Sequence, residues 1–214
     1  MSTPETVARD LLRIGAVALR PDRPFTWASG RLAPVYTDNR LALSHPAVRD
    51  RVVAGFVDLA GRVGGVEAVS GTATAGIAPG ALLADRLGVP FNYVRAAAKG
   101  HGRENRIEGR VGPGQRVVVV EDLVSTGGSV LSAADALRGA GGAVVGALAV
   151  FTYGFPEADR AFDKAGLGLH TLTDFETLAR VAAETGALGE NAWSVLRAWR
   201  DDPAGWSRER GGAG

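Results

Sequence analysis

Two adjacent carboxylates, Glu121 and Asp122, are followed closely by Ser125, Thr126, Gly127, Gly128 and Ser129. The small residues let several backbone N–H groups converge on one anion, and the positive end of a following helix would add to the attraction. That is a phosphate cradle. It has no P-loop lysine, because GxxxxGK[ST] does not occur in the chain. The acids would repel phosphate. They are suited to accepting hydrogen bonds from sugar hydroxyls, or to holding a magnesium ion through water.

Two further stretches carry related chemistry. Residues 71–76 read GTATAG, a loop of small residues that would let a second anion lie against its backbone. Residues 95–109 read RAAAKGHGRENRIEG, rich in charge and glycine and nearly without large apolar groups. Arg95, Lys99, His101, Arg103 and Arg106 make it locally basic, which suits either a solvated hairpin tip or, given its place one element before the cradle, a mobile lid of cations closing over an anion.

These groups need a frame to hold them. Four consecutive valines, 117–120, form the kind of unbroken apolar run found in a strand buried on both faces. Val130, Ala134 and Leu137 recur at helical spacing behind the small-residue loop. The order predicted is strand, acidic pair, loop, helix. Further strands are expected over 66–70, 89–94, 143–151 and 167–172, separated by helical patterns. This alternation predicts an α/β fold with a doubly wound, mostly parallel sheet.

Thr3 and Pro4 should open a first helix with Val7, Leu11, Ile14 and Ala18 on one face, ended by Pro21 and Pro24. Pro46 should open a second, with His45 at its cap. Trp27, Tyr36 and His170 read as structural. One domain is expected over 1–202, with a small N-terminal hood over about 1–42 joined by C-terminal helices. The polar, glycine-rich residues 203–214 read as a frayed, disordered tail.

Composition narrows the function classes. At 214 residues and 46% hydrophobic, the chain is long enough for one well-buried core. A net charge of +1 gives no electrostatic reason to expect nucleic acid or an anionic membrane as partner. The absence of cysteine excludes disulfides and thiolate metal sites and suits a cytoplasmic location. No apolar run approaches the ~20 residues of a membrane span, and no secretion signal opens the chain.

The strand, acid pair and STGGS loop resemble the signature of type I phosphoribosyltransferases. FTWASGRLAPVYTDNR (25–40), GTATAGIAPGALLAD (71–85), RAAAKGHGRENRIEG (95–109) and VVVVEDLVSTGGSV (117–130) resemble, in that order, segments of the orotate phosphoribosyltransferases. The resemblance implies transfer of phosphoribosyl from phosphoribosyl diphosphate to orotate, with Mg2+, by a homodimer whose lid residues are shared between subunits. It implies that Arg95, Lys99 and His101 bind the diphosphate. Glu121, Asp122, Leu123, Val124, Ser125, Thr126, Gly127, Gly128 and Ser129 would bind ribose and its 5-phosphate, with Ser125 also near orotate. Lys99, Asp122 and Glu121 would carry the catalysis; no direct metal ligand is assigned. Residues 96–98 are alanines where some branches carry a second lysine, and Ala28 stands where some carry lysine. The partner of the orotate carboxylate is therefore open between Arg40 and backbone N–H groups. Transfer to another base, or a non-enzymatic phosphoribosyl diphosphate-binding regulator, are the alternatives.

Overall fold

The computed structural model describes residues 3–97, 106–186, 188 and 192–214. Helix α1 (Pro4–Arg13) starts as its residues dictate: Thr6 N donates to Thr3 Oγ1 at 3.2 Å, and Pro4 fills the first position. It ends earlier than the prolines predict. Gly15, at φ 73°, turns the chain out of the helix. Ala18 therefore lies in a strand, not on the helix face. Four short strands follow, β1 (Val17–Leu19), β2 (Phe25–Thr26), β3 (Leu32–Ala33) and β4 (Val35–Thr37). β1 pairs antiparallel with β4, and β2 with β3. A 3-10 turn, Asn39–Ser44, leads into α2 (Pro46–Val63), with Pro46 in its first turn.

The rest of the chain alternates as expected. It comprises β5 (Ala68–Thr72), α3 (Ile77–Leu87), β6 (Phe91–Val94), β7 (Ile107–Glu108), β8 (Arg116–Val124), α4 (Gly128–Gly139), β9 (Ala143–Thr152), α5 (Pro156–Ala165) and β10 (Leu169–Asp174). Helices α6 (Phe175–Glu184), α7 (Ala192–Asp201) and α8 (Pro203–Arg208) close it. The main sheet has the order β10-β9-β8-β5-β6-β7, parallel throughout except for the β7 edge. This is the doubly wound, mostly parallel sheet that the alternation predicts.

The four valines show why the sheet is wound on both sides. Val118 and Val120 face a core shared with Leu11, Phe56 and Leu83, from α1, α2 and α3. Val117 and Val119 face the opposite core, with Val130, Leu137 and Phe162 from α4 and α5. All four valines are fully buried, each stabilising the fold by about 1.5–3 kcal/mol through loss of water contact. No helix among the described residues is long and apolar enough to cross a membrane.

The C-terminal residues depart from expectation. They do not fray. Asp202 Oδ1 accepts from Gly205 N at 2.8 Å and caps α8, and Trp206 is buried in the first core. Arg210 stacks over the Trp206 ring at 3.9 Å. A polar tail with one tryptophan at the right spacing therefore docks by that anchor, which composition alone conceals.

Candidate active site

The sheet creates a crevice at its middle. β5 leads to β6 on one side, and β8 leads to β9 on the other, so the chain diverges between β5 and β8. Ligands of open α/β sheets bind beyond the strand ends at such a point. The pairing of β5 with β8 stops at Gly71 and Val120. β8 continues alone with β9, through Glu121 opposite Ala149 to Val124 opposite Thr152. The acidic pair thus belongs to the strand and does not follow it, contrary to the predicted order. It lies where β8 has lost one neighbour. The small-residue loop after β5 meets it closely: a Cβ on Gly76 would collide with the Val120 carbonyl and the Thr72 backbone. Only glycine lets the loop after β5 lie against the β8 backbone here.

Residues 125–127 then turn into α4. Gly127 takes φ 83° as the helix cap, and a Cβ there would sit 2.6 Å from the Phe162 ring. No side chain among the described residues caps the helix, which opens at Gly128 and Ser129 with backbone N–H groups of the kind that suit an anion. Ser129 Oγ donates to Glu121 Oε2 at 3.1 Å, and Asp122 N donates to Glu121 Oε1 at 3.1 Å. Asn39 Nδ2 donates to the Asp122 carbonyl at 2.8 Å. Glu121 is 6% exposed. Burial, with the Asp122 charge beside it, pushes its carboxyl up to about 8. Burial also raises Asp122. The pair therefore takes up a proton more readily than two ordinary carboxylates, and an incoming positive charge beside it is favoured.

Beside this pair lies a cavity of about 400 Å³, walled by Trp27, Tyr36, Thr37, Leu123, Ser125 and Tyr153, among others. Tyr153 is buried and donates to Thr37 Oγ1 at 3.1 Å; burial pushes its phenol up to about 12. Trp27 is structural as predicted, edge-on to Trp199 at 5.9 Å with Nε1 donating to Val35 O. It is also a cavity wall. Tyr36 is not core: it is 47% exposed, because alternation along β4 points it outward.

Arg40 lines a different, mainly apolar groove with Asp122, and its guanidinium is bonded to Asp38 at 2.7 Å. Arg95 follows β6, with Nε 3.2 Å from Glu108 Oε1. Arg106 donates to the Arg95 carbonyl and to Ser132 Oγ on α4. Lys99, His101 and Arg103 lie outside the described residues, so the expected lid is described only at its ends.

A phosphoribosyl transferase domain model matches residues 64–166. Orotate phosphoribosyltransferase of Bacillus pumilus is 51% identical over 206 residues, which span 95% of this chain and 97% of that one. That of Cutibacterium acnes is 51% identical over 201 residues, 94% and 93% of the two chains. The chain belongs to the orotate phosphoribosyltransferase family. Solved structures agree. The orotate phosphoribosyltransferase of Aeropyrum pernix matches with a TM-score of 0.74 and 32% identity, over 86% of this chain and 99% of that one. The Mycobacterium tuberculosis orotate phosphoribosyltransferase, solved in complex with 5-phospho-α-D-ribosyl 1-diphosphate, matches with a TM-score of 0.65 and 26% identity, over 82% and 98%.

Within this orotate phosphoribosyltransferase-family framework, residues unassigned by sequence reasoning stand out. Asn39 ties the 3-10 turn to the backbone of Asp122. Thr37 and Tyr153 join the N-terminal strands to the end of β9. Their only sequence signal was a polar or aromatic residue at a strand end, which periodicity cannot rank.

Proposed function

We infer that this protein transfers the phosphoribosyl group of phosphoribosyl diphosphate to orotate, giving orotidine 5'-phosphate and diphosphate in pyrimidine nucleotide synthesis. Near-full-length identity of 51% to two orotate phosphoribosyltransferases carries the reading. The crevice chemistry agrees with it. The phosphate ester sits on the amides at the start of α4. Glu121 and Asp122 accept the ribose hydroxyls and favour the positive charge that develops on the ring as the diphosphate departs. A nitrogen of orotate attacks from the cavity beside Ser125, so the chain supplies placement and electrostatics instead of a nucleophile. Arg95, Lys99 and His101 are the cations assigned to the diphosphate.

Magnesium would be held at the acidic pair together with the bound substrate. No group of three His, Cys, Asp or Glu side chains gathers to hold a metal among the described residues. Glu121 and Asp122 together with phosphate oxygens make an oxygen donor set that suits magnesium through water. When bound there, the ion would supply positive charge against the departing group. The chain works as a homodimer in the cytoplasm; the exposed large apolar side chains Tyr36, Leu41 and Leu43, crowded into eight residues, support a partner subunit there.

The direct test follows orotate absorbance. It should fall only when phosphoribosyl diphosphate and magnesium are both present. No fall, with turnover of uracil or a purine instead, would sink the orotate reading.

A further inference from the structure

Among the described residues, the acceptor cavity has no charged side chain in its wall. An acceptor that carries a carboxylate cannot be bound there cheaply unless a cation reaches it. A second cavity, of about 350 Å³, abuts the first and shares Trp27 and Ser125 with it. Three arginines line it: Arg31, Arg160 and Arg200. Arg200 is already engaged, 3.5 Å from Glu176 and 3.4 Å from Asp201. Of the three acids in the same wall, Asp201 faces Arg200, Asp202 caps α8, and Glu157 lies exposed in the first turn of α5. Arg160 is exposed on α5. Arg31 is half-buried and forms no ion pair among the described residues.

The backbone around Arg31 is unusually well held. Its carbonyl accepts from Trp27 N at 2.8 Å, closing the turn between β2 and β3. The C-terminal residues pin both its neighbours. Leu32 N donates to Ser207 Oγ at 2.9 Å, and Ala213 N donates to the Gly30 carbonyl at 3.0 Å. Ser207 Oγ in turn donates to the Ala213 carbonyl at 2.5 Å, and Ser207 is fully buried. One hydroxyl thus links α8, the chain end and the turn that carries Arg31.

We propose that Arg31 is the specificity-determining residue that receives the acceptor's carboxylate where the two cavities meet, and that Ser207 positions it through this C-terminal strap. The proposal rests on the orotate reading above. Arginine suits the task because its planar fork can meet both carboxylate oxygens. A base without the carboxylate gains nothing from Arg31, so this contact also separates orotate from uracil.

Steady-state kinetics test it. Arg31→Ala should raise the orotate KM by about 10–100-fold, leave the KM for phosphoribosyl diphosphate within about twofold, and recover partly with added guanidinium. Arg31→Lys should fall between, keeping charge without the fork. Ser207→Ala should raise the orotate KM several-fold with kcat at saturating orotate retained. An Arg31→Ala orotate KM within about twofold of the parent, or a loss carried by Arg160→Ala instead, overturns the assignment. Should Arg31→Ala fold poorly, Arg31→Lys and Ser207→Ala decide: parental orotate KM in both rejects the proposal. A parent protein that ignores orotate would instead sink the functional reading.

Discussion

Asp122→Asn is expected to lower kcat by about 10²–10³-fold while leaving the melting temperature unchanged or higher. The two halves of this expectation come from one feature. Asp122 and Glu121 are buried side by side, and burial raises both carboxyls above their ordinary values. A raised carboxyl means that folding disfavours its charged form, so an isosteric neutral amide removes a cost larger than the support that hydrogen bonds from Glu121 and the Leu123 backbone give the charged group. The Asp122 carbonyl, which Asn39 holds at 2.8 Å, is main chain and survives the substitution. What disappears is the negative charge facing the sugar as its bond to diphosphate breaks. Kinetics and a thermal melt on the same sample check both halves. Near-parental kcat would make the acidic pair structural.

Lys99→Ala should cost a similar factor in kcat, about 10²–10³-fold, with the orotate KM little changed. At the two ends of the expected lid, Arg95 lies near Glu108 and Arg106 donates to Ser132. The lysine and histidine between them are the groups proposed to meet the departing diphosphate, whose charge grows only as the bond breaks. An interaction made mainly in the transition state appears in kcat and hardly in KM. Mixing this variant with Asp122→Asn also tests the proposed sharing between subunits. If Lys99 serves the partner's site, a mixed dimer contains one site with both residues intact, and activity returns. If it serves its own, both sites stay damaged and the mixture remains inactive.

The centre of the sheet was legible because burial on both faces leaves an unmistakable mark, four valines running into an acidic pair and a glycine-rich turn. The loop of residues 71–76 was legible for a related reason: it is made only of small residues, and the Gly76 contact with the Val120 carbonyl explains why. The end of β8 was hidden. Its residues 121–124 stay in the ladder because β9 runs on to Thr152 beside them, a long-range partner that local pattern cannot reveal. The N-terminal strands are two or three residues long, below the reach of any periodicity, and Ala18 consequently reads as helical. Tyr36 and Trp27 look alike in sequence, yet one points outward and the other packs against Trp199. The docked C-terminus depends on Ser207 reaching Leu32, 175 residues away in the chain.

The central claim is that the amides opening α4 hold the phosphate of the sugar while Glu121 and Asp122 take its hydroxyls. A crystal structure with ribose 5-phosphate tests it most directly. The account predicts phosphate oxygens within hydrogen-bonding distance of the backbone nitrogens of residues 127–129, and ribose hydroxyls on the two carboxyls. Phosphate seated instead on residues 72–76, or among Arg31, Arg160 and Arg200, with the start of α4 left to water, would contradict it.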